Sequence, residues 1–313
     1  MSELTSNGDG VNTNVPDTEP SDPNLMLELT TVQTGPFKIL IEGLKDYLLD
    51  CNMELIPYHN EDGTVNPAAG LKILALNHKE GMLIHVKLNA NEFNRFYCRE
   101  RQILGINMQV LHKIIRSINN NDVLTIRRYT STYERTQINV VIENLERVQK
   151  SKYIIQLMDV NCDIIEMKSA KFDAVIVMSS VDFQKACRDL NGIDTKYIEI
   201  VLTDSVLQLN GDGGLAVGSS EFHDTKLPSS GISIRKTEKD PDDSDNSNEL
   251  DTSSLLIRGK YDIKNLMLFT KCTNLCSRIE IYLKNDFPLL IKYTVASLGY
   301  THLVLSPIME DEI

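Results

Sequence analysis

The chain's short β-like segments and helices follow an order that is repeated once, and this repetition limits the fold more than any single motif does. In the first half, helices are predicted over PFKILIEGLKDYLLD, opening at Pro36, and over MQVLHKIIRSIN, among strands such as DVLTIRRY and TQINVVIE. In the second half, VDFQKACRDLNGI, ending at Gly192, and IKNLMLFTKCTNL take the corresponding places among strands such as SRIEIYL and PLLIKYTV. The sequence therefore predicts an α+β fold of two similar domains, each with two helices among about eight strands.

The net charge of −12 over 313 residues comes from three acidic pieces, so the remaining body is neutral. A basic surface within that body is not cancelled by them, because exposed charges are screened over about 10 Å. The predicted organisation is a disordered acidic extension at 1–24, domain 1 at 25–157, a connector at 158–172, domain 2 at 173–308 with an acidic loop insertion at 235–252, and an acidic tail at 309–313.

Each of the four predicted helices carries a pair of basic residues spaced three or seven apart, which places both members on one face. The pairs are Lys38 and Lys45, Lys113 and Arg116, Lys185 and Arg188, and Lys264 and Lys271. The ordinary interpretation is that these side chains are merely solvated. The functional interpretation is that all four pairs line one surface that faces a polyanion, since contact with a phosphate backbone requires only positive charge at tolerant spacing. No aromatic residues alternate with these bases, so stacking on single strands is not indicated.

Other classes of function find little support in the sequence. The six cysteines form no CxxC pair and the six histidines no HExxH, so neither a zinc site nor a disulfide framework is expected. The glycine-rich stretch NGDGGLAVGSS lacks the Lys-Ser/Thr ending of a phosphate-binding loop, and Ser220, His223 and Asp224 show no catalytic pattern. No apolar run is long enough for a membrane span, and the N-terminus has no secretory signal. The cytosol, the nucleus and a virus-built compartment all remain possible locations.

Several segments in one order resemble the proliferating cell nuclear antigen family of DNA sliding clamps. They are MQVLHKIIRSINNNDVLTI, CRDLNGI, NLMLFTKCTNLCSRIEIYL, DFPLLIKYTVASLG and LSPIMEDE, and the resemblance is nearly colinear from about Leu25 to Glu312. It is weak at 55–70, and the pieces at 1–24 and 235–252 are additions. These departures suggest a divergent member, such as one from a large DNA virus.

The resemblance implies a subunit that trimerises head to tail into a closed ring, with the helices lining the hole and the sheets forming the outer wall. The family's ring closure joins edge strands that match about Ser151 to Leu157 and Gly218 to Asp224. The eight basic residues would then face double-stranded DNA without reading its sequence. The implied function is that of a polymerase processivity factor and docking platform for replication and repair proteins, with no catalytic residue, cofactor or metal.

The resemblance further implies an ATP-dependent clamp loader as a partner, and a pocket that receives short hydrophobic and aromatic peptides from polymerases and other proteins. The matching pocket positions are Leu76, Ile165, Met167, Pro288, Val304 and Pro307. The family's Gly-Ile-Pro in the connector is Glu166-Met167-Lys168 here, and a pocket tyrosine is Val304, so the preferred peptides are expected to differ. Ile165 and Met167 could instead simply pack on the sheet. A lysine that accepts ubiquitin in many members is Thr203.

Two alternatives remain open at this point. The chain could be one subunit of a heterotrimer, or a non-processive scaffold that has lost the ability to encircle DNA.

Overall fold

The computed structural model describes residues 22–60, 62–77, 81–130, 136–144, 146–160, 170–225, 231–236 and 256–308. Within them it contains four α-helices and eighteen strands. The helices are α1 (Thr34–Leu44), α2 (Met108–Ile115), α3 (Ser180–Asn191) and α4 (Ile263–Phe269), and α4 continues as a 3₁₀ segment, Thr270–Leu275. The strands of the first half are β1 (Leu25–Thr31), β2 (Asp50–Ile56), β3 (Gly70–Asn77), β4 (Met82–Asn89), β5 (Arg95–Cys98), β6 (Gln102–Asn107), β7 (Asp122–Tyr129), β8 (Gln137–Asn144) and β9 (Gln149–Gln156). Those of the second half are β10 (Ala174–Ser179), β11 (Tyr197–Leu202), β12 (Val206–Asp212), β13 (Val217–His223), β14 (Ser233–Lys236), β15 (Ile257–Asp262), β16 (Arg278–Leu283), β17 (Leu289–Val295) and β18 (Gly299–Leu305).

Three antiparallel sheets hold these strands, and the largest of them crosses from one half to the other. Its order is β14-β10-β16-β17-β18-β4-β3-β2-β6, so the pairing of β18 with β4 joins the two halves. A five-stranded sheet, β5-β1-β7-β8-β9, belongs to the first half, and a four-stranded sheet, β13-β12-β11-β15, to the second. The predicted α+β architecture with two similar domains is confirmed, with nine strands rather than about eight in each half.

The four helices form one layer, in which α1 packs against α2 and against the 3₁₀ segment, and α3 packs against α4 and that same segment. Their apolar sides are buried against the sheets, with Phe37, Ile115, Phe183 and Phe269 among the fully enclosed side chains. Three helices begin at a residue whose side-chain oxygen accepts a backbone N–H of the first turn, and these are Asn107, Ser179 and Asp262. Within the described residues, no helix is both long and apolar enough to cross a bilayer.

The predicted helix boundaries were wrong at several ends. Helix α1 begins at Thr34 and ends at Leu44, so Pro36 is its third residue and the stretch that follows is not helical. Helix α2 ends at Ile115, and the last helix becomes 3₁₀ after Phe269. Gly192 follows α3 as predicted, but with φ −67° rather than in the left-handed region.

Two strands and one loop boundary also differ from the predictions. Strand β2 was not predicted, and its first residue, Asp50, is the last residue of the predicted first helix. Strand β14 includes Arg235 and Lys236, so the predicted loop at 235–252 starts two residues later than expected. The rest of that loop, most of the 1–24 extension and the 309–313 tail lie outside the described residues.

The predicted connector at 158–172 is described only at its two ends. Its first residue, Met158, donates its N–H to the carbonyl of Gly105 in β6 at 3.0 Å. A side chain on Gly105 would be impossible here, since a Cβ would lie 1.9 Å from the Met158 carbonyl oxygen. Residues 161–169, with Ile165 and Met167, lie outside the described part.

Candidate nucleic-acid interface and partner pocket

The exposed sides of α1 to α4 and of the 3₁₀ segment form one surface, which we call the helix face. All eight predicted basic residues lie on it, because their own helices bury the opposite sides. Five of them are exposed and make no ion pair with any residue that the structure describes. These five are Lys113, Arg116, Lys185, Arg188 and Lys264. Their charges are therefore available to a ligand approaching the helix layer.

The other three cations of the helix face already have partners. Lys38 donates to the carbonyl of Ile118 at 3.2 Å. Lys45 and Lys271 both reach the carboxylate of Asp46, at 3.0 Å and 2.7 Å. Burial raises the pKa of the Asp46 carboxyl, but the hydrogen bonds from Lys271 and Lys45 outweigh it and hold that pKa below its usual value. Sequence reasoning treated the eight cations as equivalent, and the structure divides them into five available and three engaged.

Strands β9 and β13 are the end strands of two different sheets, so each has one edge without a neighbouring strand in the described chain. Strand β9 carries Lys150 and Lys152, and Ile154 is exposed on it. Strand β13 carries Glu221, and Val217 is exposed on it. Each edge strand thus carries one of these exposed apolar residues, and the named charges on β9 are opposite in sign to the one on β13.

The predicted pocket positions that are described lie at one end of the nine-stranded sheet. Leu76 in β3 is opposite Leu83 in β4, Leu83 is opposite Val304 in β18, and Val304 is opposite Leu290 in β17. Neighbouring strands are about 4.8 Å apart, so Leu76 and Val304 are separated by roughly 10 Å on the same face.

Two prolines flank this row: Pro288 lies directly before β17, and Pro307 lies two residues after the end of β18. Sequence reasoning missed Leu83 and Leu290, although the sequence MLIHVKLN could have indicated Leu83, which is the one apolar residue on the otherwise polar side of β4. Ile165 and Met167 lie outside the described residues.

Two histidines lie on the same sheet face, next to the leucine row. His85 and His302 are directly opposite in β4 and β18, with ring centroids 5.7 Å apart, and Tyr300 stacks on His302 at 4.5 Å. The Nδ1 atom of each histidine is buried and has no hydrogen-bond partner among the residues that the structure describes. Burial, followed by the charges of Lys72 and Lys87, lowers the pKa of His85 to about 4. Burial, followed by His85 and Lys292, lowers the pKa of His302 to about 4.

We expect these histidines to make the fold sensitive to mild acid. Imidazoles of the unfolded chain take up protons near pH 6.5, whereas those of the folded chain do so only near pH 4. The unfolded state therefore binds more protons between these values, and stability present at pH 7 is lost as the pH falls through this window. The urea midpoint should drop between pH 7 and pH 5, and His302→Gln should reduce the drop. Replacement of the exposed His223 by Gln is the control, and an equal drop in both variants would contradict the assignment.

The glycine-rich stretch at 210–220 joins β12 to β13, whose residues pair directly from Val206 with His223 to Asp212 with Val217. A phosphate-binding loop would instead connect a strand to a helix. Ser220 is half-buried and His223 and Asp224 are exposed on or beside this hairpin. Its glycines serve a different purpose, since a Cβ on Gly213 would lie 1.6 Å from the carbonyl oxygen of Ile193.

Two family models match consecutive parts of the chain. The model of the proliferating cell nuclear antigen N-terminal domain matches residues 26–166, and that of the C-terminal domain matches residues 166–308.

Similar curated proteins come from viruses and from a fungus. A probable DNA polymerase sliding clamp 1 of Paramecium bursaria Chlorella virus 1 is 28% identical over 92% of this chain and 99% of its own length. A probable DNA polymerase sliding clamp of Acanthamoeba polyphaga mimivirus is 28% identical over 91% of this chain and 62% of its own length. A proliferating cell nuclear antigen of Chaetomium thermophilum is 23% identical over 92% of this chain and all of its own length.

Proposed function

Because the chain belongs to the proliferating cell nuclear antigen family, we propose that it is a DNA sliding clamp that assembles into a closed homotrimeric ring around duplex DNA. It acts as a polymerase processivity factor and as a docking platform for replication and repair proteins. The observation that carries this proposal is the helix face, where five exposed cations have no ion-pair partner among the described residues. Support also comes from relatives that are named sliding clamps. The site of action is the nucleus or a viral replication site.

The helix face suits a ligand that must slide rather than stay. Each cation that contacts a phosphate releases condensed counterions, so binding is electrostatic, independent of sequence and sensitive to salt. The exposed lysines and arginines are held on helices and read no base edges, so we expect weak contacts that shift easily along the duplex. Because the closed ring encircles the duplex, the complex stays on DNA although each contact is weak. An ATP-dependent loader would be needed to place a closed ring on DNA without ends.

The alternation of hydrogen bonds identifies which backbone groups of the two end strands point outward. Leu157 donates its N–H to the carbonyl of Thr136 at 2.7 Å, so the residues at 150, 152 and 154 of β9 direct their backbone groups to the open edge. Asp224 donates to Ser205 at 2.8 Å, so the residues at 217, 219, 221 and 223 of β13 do the same. Head-to-tail closure then needs only antiparallel pairing of these two edges.

One antiparallel register matches the side chains as well. Its pairs are Lys150 with Glu221, Lys152 with Ser219, and Ile154 with Val217. It places opposite charges together and joins the two exposed apolar residues. Because both complementary edges belong to the same chain, they favour a homotrimer over a heterotrimer.

The row of Leu76, Leu83, Val304 and Leu290 supports the peptide pocket. An apolar row bordered by two prolines suits an anchoring hydrophobic or aromatic side chain from a partner peptide. With Val304 in place of the family's tyrosine, the pocket lacks a hydroxyl at that position, so the preferred peptide is expected to rely on apolar contacts there. Ile165 and Met167 remain proposed contributors to the same pocket.

Charge reversal on α2 tests the DNA-facing role. The double substitution Lys113→Glu and Arg116→Glu should lower duplex affinity about 10- to 100-fold at low salt and reduce polymerase processivity, because two phosphate contacts become repulsive. Fluorescence anisotropy with a duplex of about 30 base pairs and primer extension on a singly primed circle are the measurements. Arg99→Glu with Arg101→Glu is the control of equal charge change, since both arginines are exposed in the turn between β5 and β6. Because Arg101 pairs with Glu54, the urea midpoint of this control is measured as well. Equal affinity and processivity in the two variants would refute the assignment.

A further inference from the structure

Asp46 lies where the helices of the two halves meet, and its position is fixed on both sides. The next residue, Tyr47, is buried, and its hydroxyl donates to the carbonyl of Leu268 in α4 at 2.5 Å. Its ring also contacts Phe269, with centroids 6.1 Å apart. One turn earlier, the backbone at Gly43 approaches Cys272 so closely that a Cβ would lie 2.9 Å from the sulfur. The carboxylate of Asp46 is therefore held by packed neighbours and does not depend on a flexible loop.

The carboxylate uses each of its oxygens for a different cation. Oδ1 accepts from Lys45, which caps α1, and Oδ2 accepts from Lys271 in the 3₁₀ segment of the other half. The side chains of Lys45 and Asp46 are only 19% and 25% exposed, whereas that of Lys271 is 47% exposed. A shared carboxylate with fixed neighbours holds two cations with less loss of side-chain entropy than two separate surface pairs would require.

We propose that Asp46 is a built-in counter-charge that holds the ammonium groups of Lys45 and Lys271 and thereby limits how many phosphates the helix face contacts. This inference rests on the proposed DNA-facing role of that face. Asp46 is a positioning residue that acts through the two lysines. Its effect is to keep the middle of the helix layer, where the two halves meet, weakly attractive to duplex DNA. The stronger contacts then come from the cations of α2, α3 and the start of α4, on both sides of this middle.

The salt dependence of duplex binding separates this role from a structural one. Asp46→Asn releases both lysines, so the slope of log K against log salt should steepen by about one to two, since each phosphate contact contributes roughly 0.9. Affinity at low salt should rise about tenfold. The control is Glu42→Gln, which changes the net charge equally from an exposed position on the same helix and has no ion pair with a described residue. Its slope should change by less than about 0.5. Asp46→Glu keeps the negative charge, so its slope should equal that of the unmodified protein.

A second comparison holds even if Asp46→Asn loosens the junction. In the unmodified protein, Lys271→Gln should cost less duplex affinity than Lys264→Gln, because Lys271 is engaged and Lys264 is exposed without an ion pair among the described residues. In the Asp46→Asn background the two costs should become equal. Equal slopes for Asp46→Asn and Glu42→Gln would overturn the inference while the proposed clamp function stands. An unmodified protein without salt-dependent duplex binding would overturn the clamp function itself, and the inference with it.

Discussion

Replacing Lys152 with proline is expected to convert the proposed trimer into monomers while each monomer stays folded. The N–H of Lys152 points to the open edge of β9, so proline removes no hydrogen bond to β8 but removes one from the proposed joint with the next subunit. The residue before a proline prefers extended backbone, which Ser151 already has as part of the strand. A lost ladder bond with a steric clash costs about 3 kcal/mol, or roughly 100-fold in affinity at each joint.

Light scattering across a dilution series measures this effect. The unmodified protein should hold a mass three times that of the chain, and Lys152→Pro should fall to the mass of one chain at low micromolar concentration. Lys152→Ala is the matched control, because it removes the same side chain and keeps the N–H, so it should remain a trimer. A stable trimer of Lys152→Pro would show that β9 does not form the joint. A monomeric unmodified protein would favour a heterotrimer subunit or a scaffold.

The second large effect is expected at Glu28, a carboxylate only 4% exposed on β1, the second strand of the five-stranded sheet. Its oxygens lie 2.8 Å from Nε of Arg95 and 2.6 Å from a terminal nitrogen of Arg127. Glu28→Gln keeps the shape but leaves both guanidinium groups without their counter-charge. Because Arg95 and Arg127 are 40% and 34% exposed, we expect a loss of about 2–4 kcal/mol, near or below the range for a fully buried pair.

The urea midpoint of the full chain, followed by tyrosine fluorescence, measures this loss. Glu143→Gln is the comparison, since Glu143 pairs with Lys150 near the edge of the same sheet and both side chains are at least a third exposed. Such a pair contributes less than about 1 kcal/mol, so its midpoint should barely move. Similar midpoints for the two variants would mean that Glu28 is no more than a surface partner.

The strands were more predictable than the helix ends, for a physical reason. Strands such as β7 and β8 are indicated by alternation along the sequence. The predicted first helix continued through Tyr47 because residues 45–50 include good helix formers. In the structure Tyr47 packs against the other half of the chain, where its hydroxyl donates a hydrogen bond to the carbonyl of Leu268. Strand β2 begins three residues after Tyr47. A contact over such a distance overrides local propensity and leaves no trace in the local pattern.

The candidate site was likewise predictable from the sequence only in part. The basic residues could be placed on helix faces by spacing alone, and the exposure of all but Lys38 and Lys45 agrees with that placement. Which of them are engaged could not be predicted. Asp46 is the shared partner of Lys45 and Lys271, and Lys271 lies 225 residues away from it in the chain. Likewise, the pairing of His85 with His302 depends on the meeting of β4 and β18, which no repeat in the sequence specifies.

The seam between β4 and β18 has a mechanical consequence. Seven consecutive residue pairs, from Gly299 with Leu88 to Leu305 with Met82, join the two halves of the chain into one continuous sheet. The proposed joint between subunits has only three or four outward-facing residues on each strand to work with. In the proposed ring, a torque would therefore separate the strands at a joint before it deformed a subunit. Opening of that ring for DNA entry would then be a gap at one joint, with each subunit moving as a rigid unit.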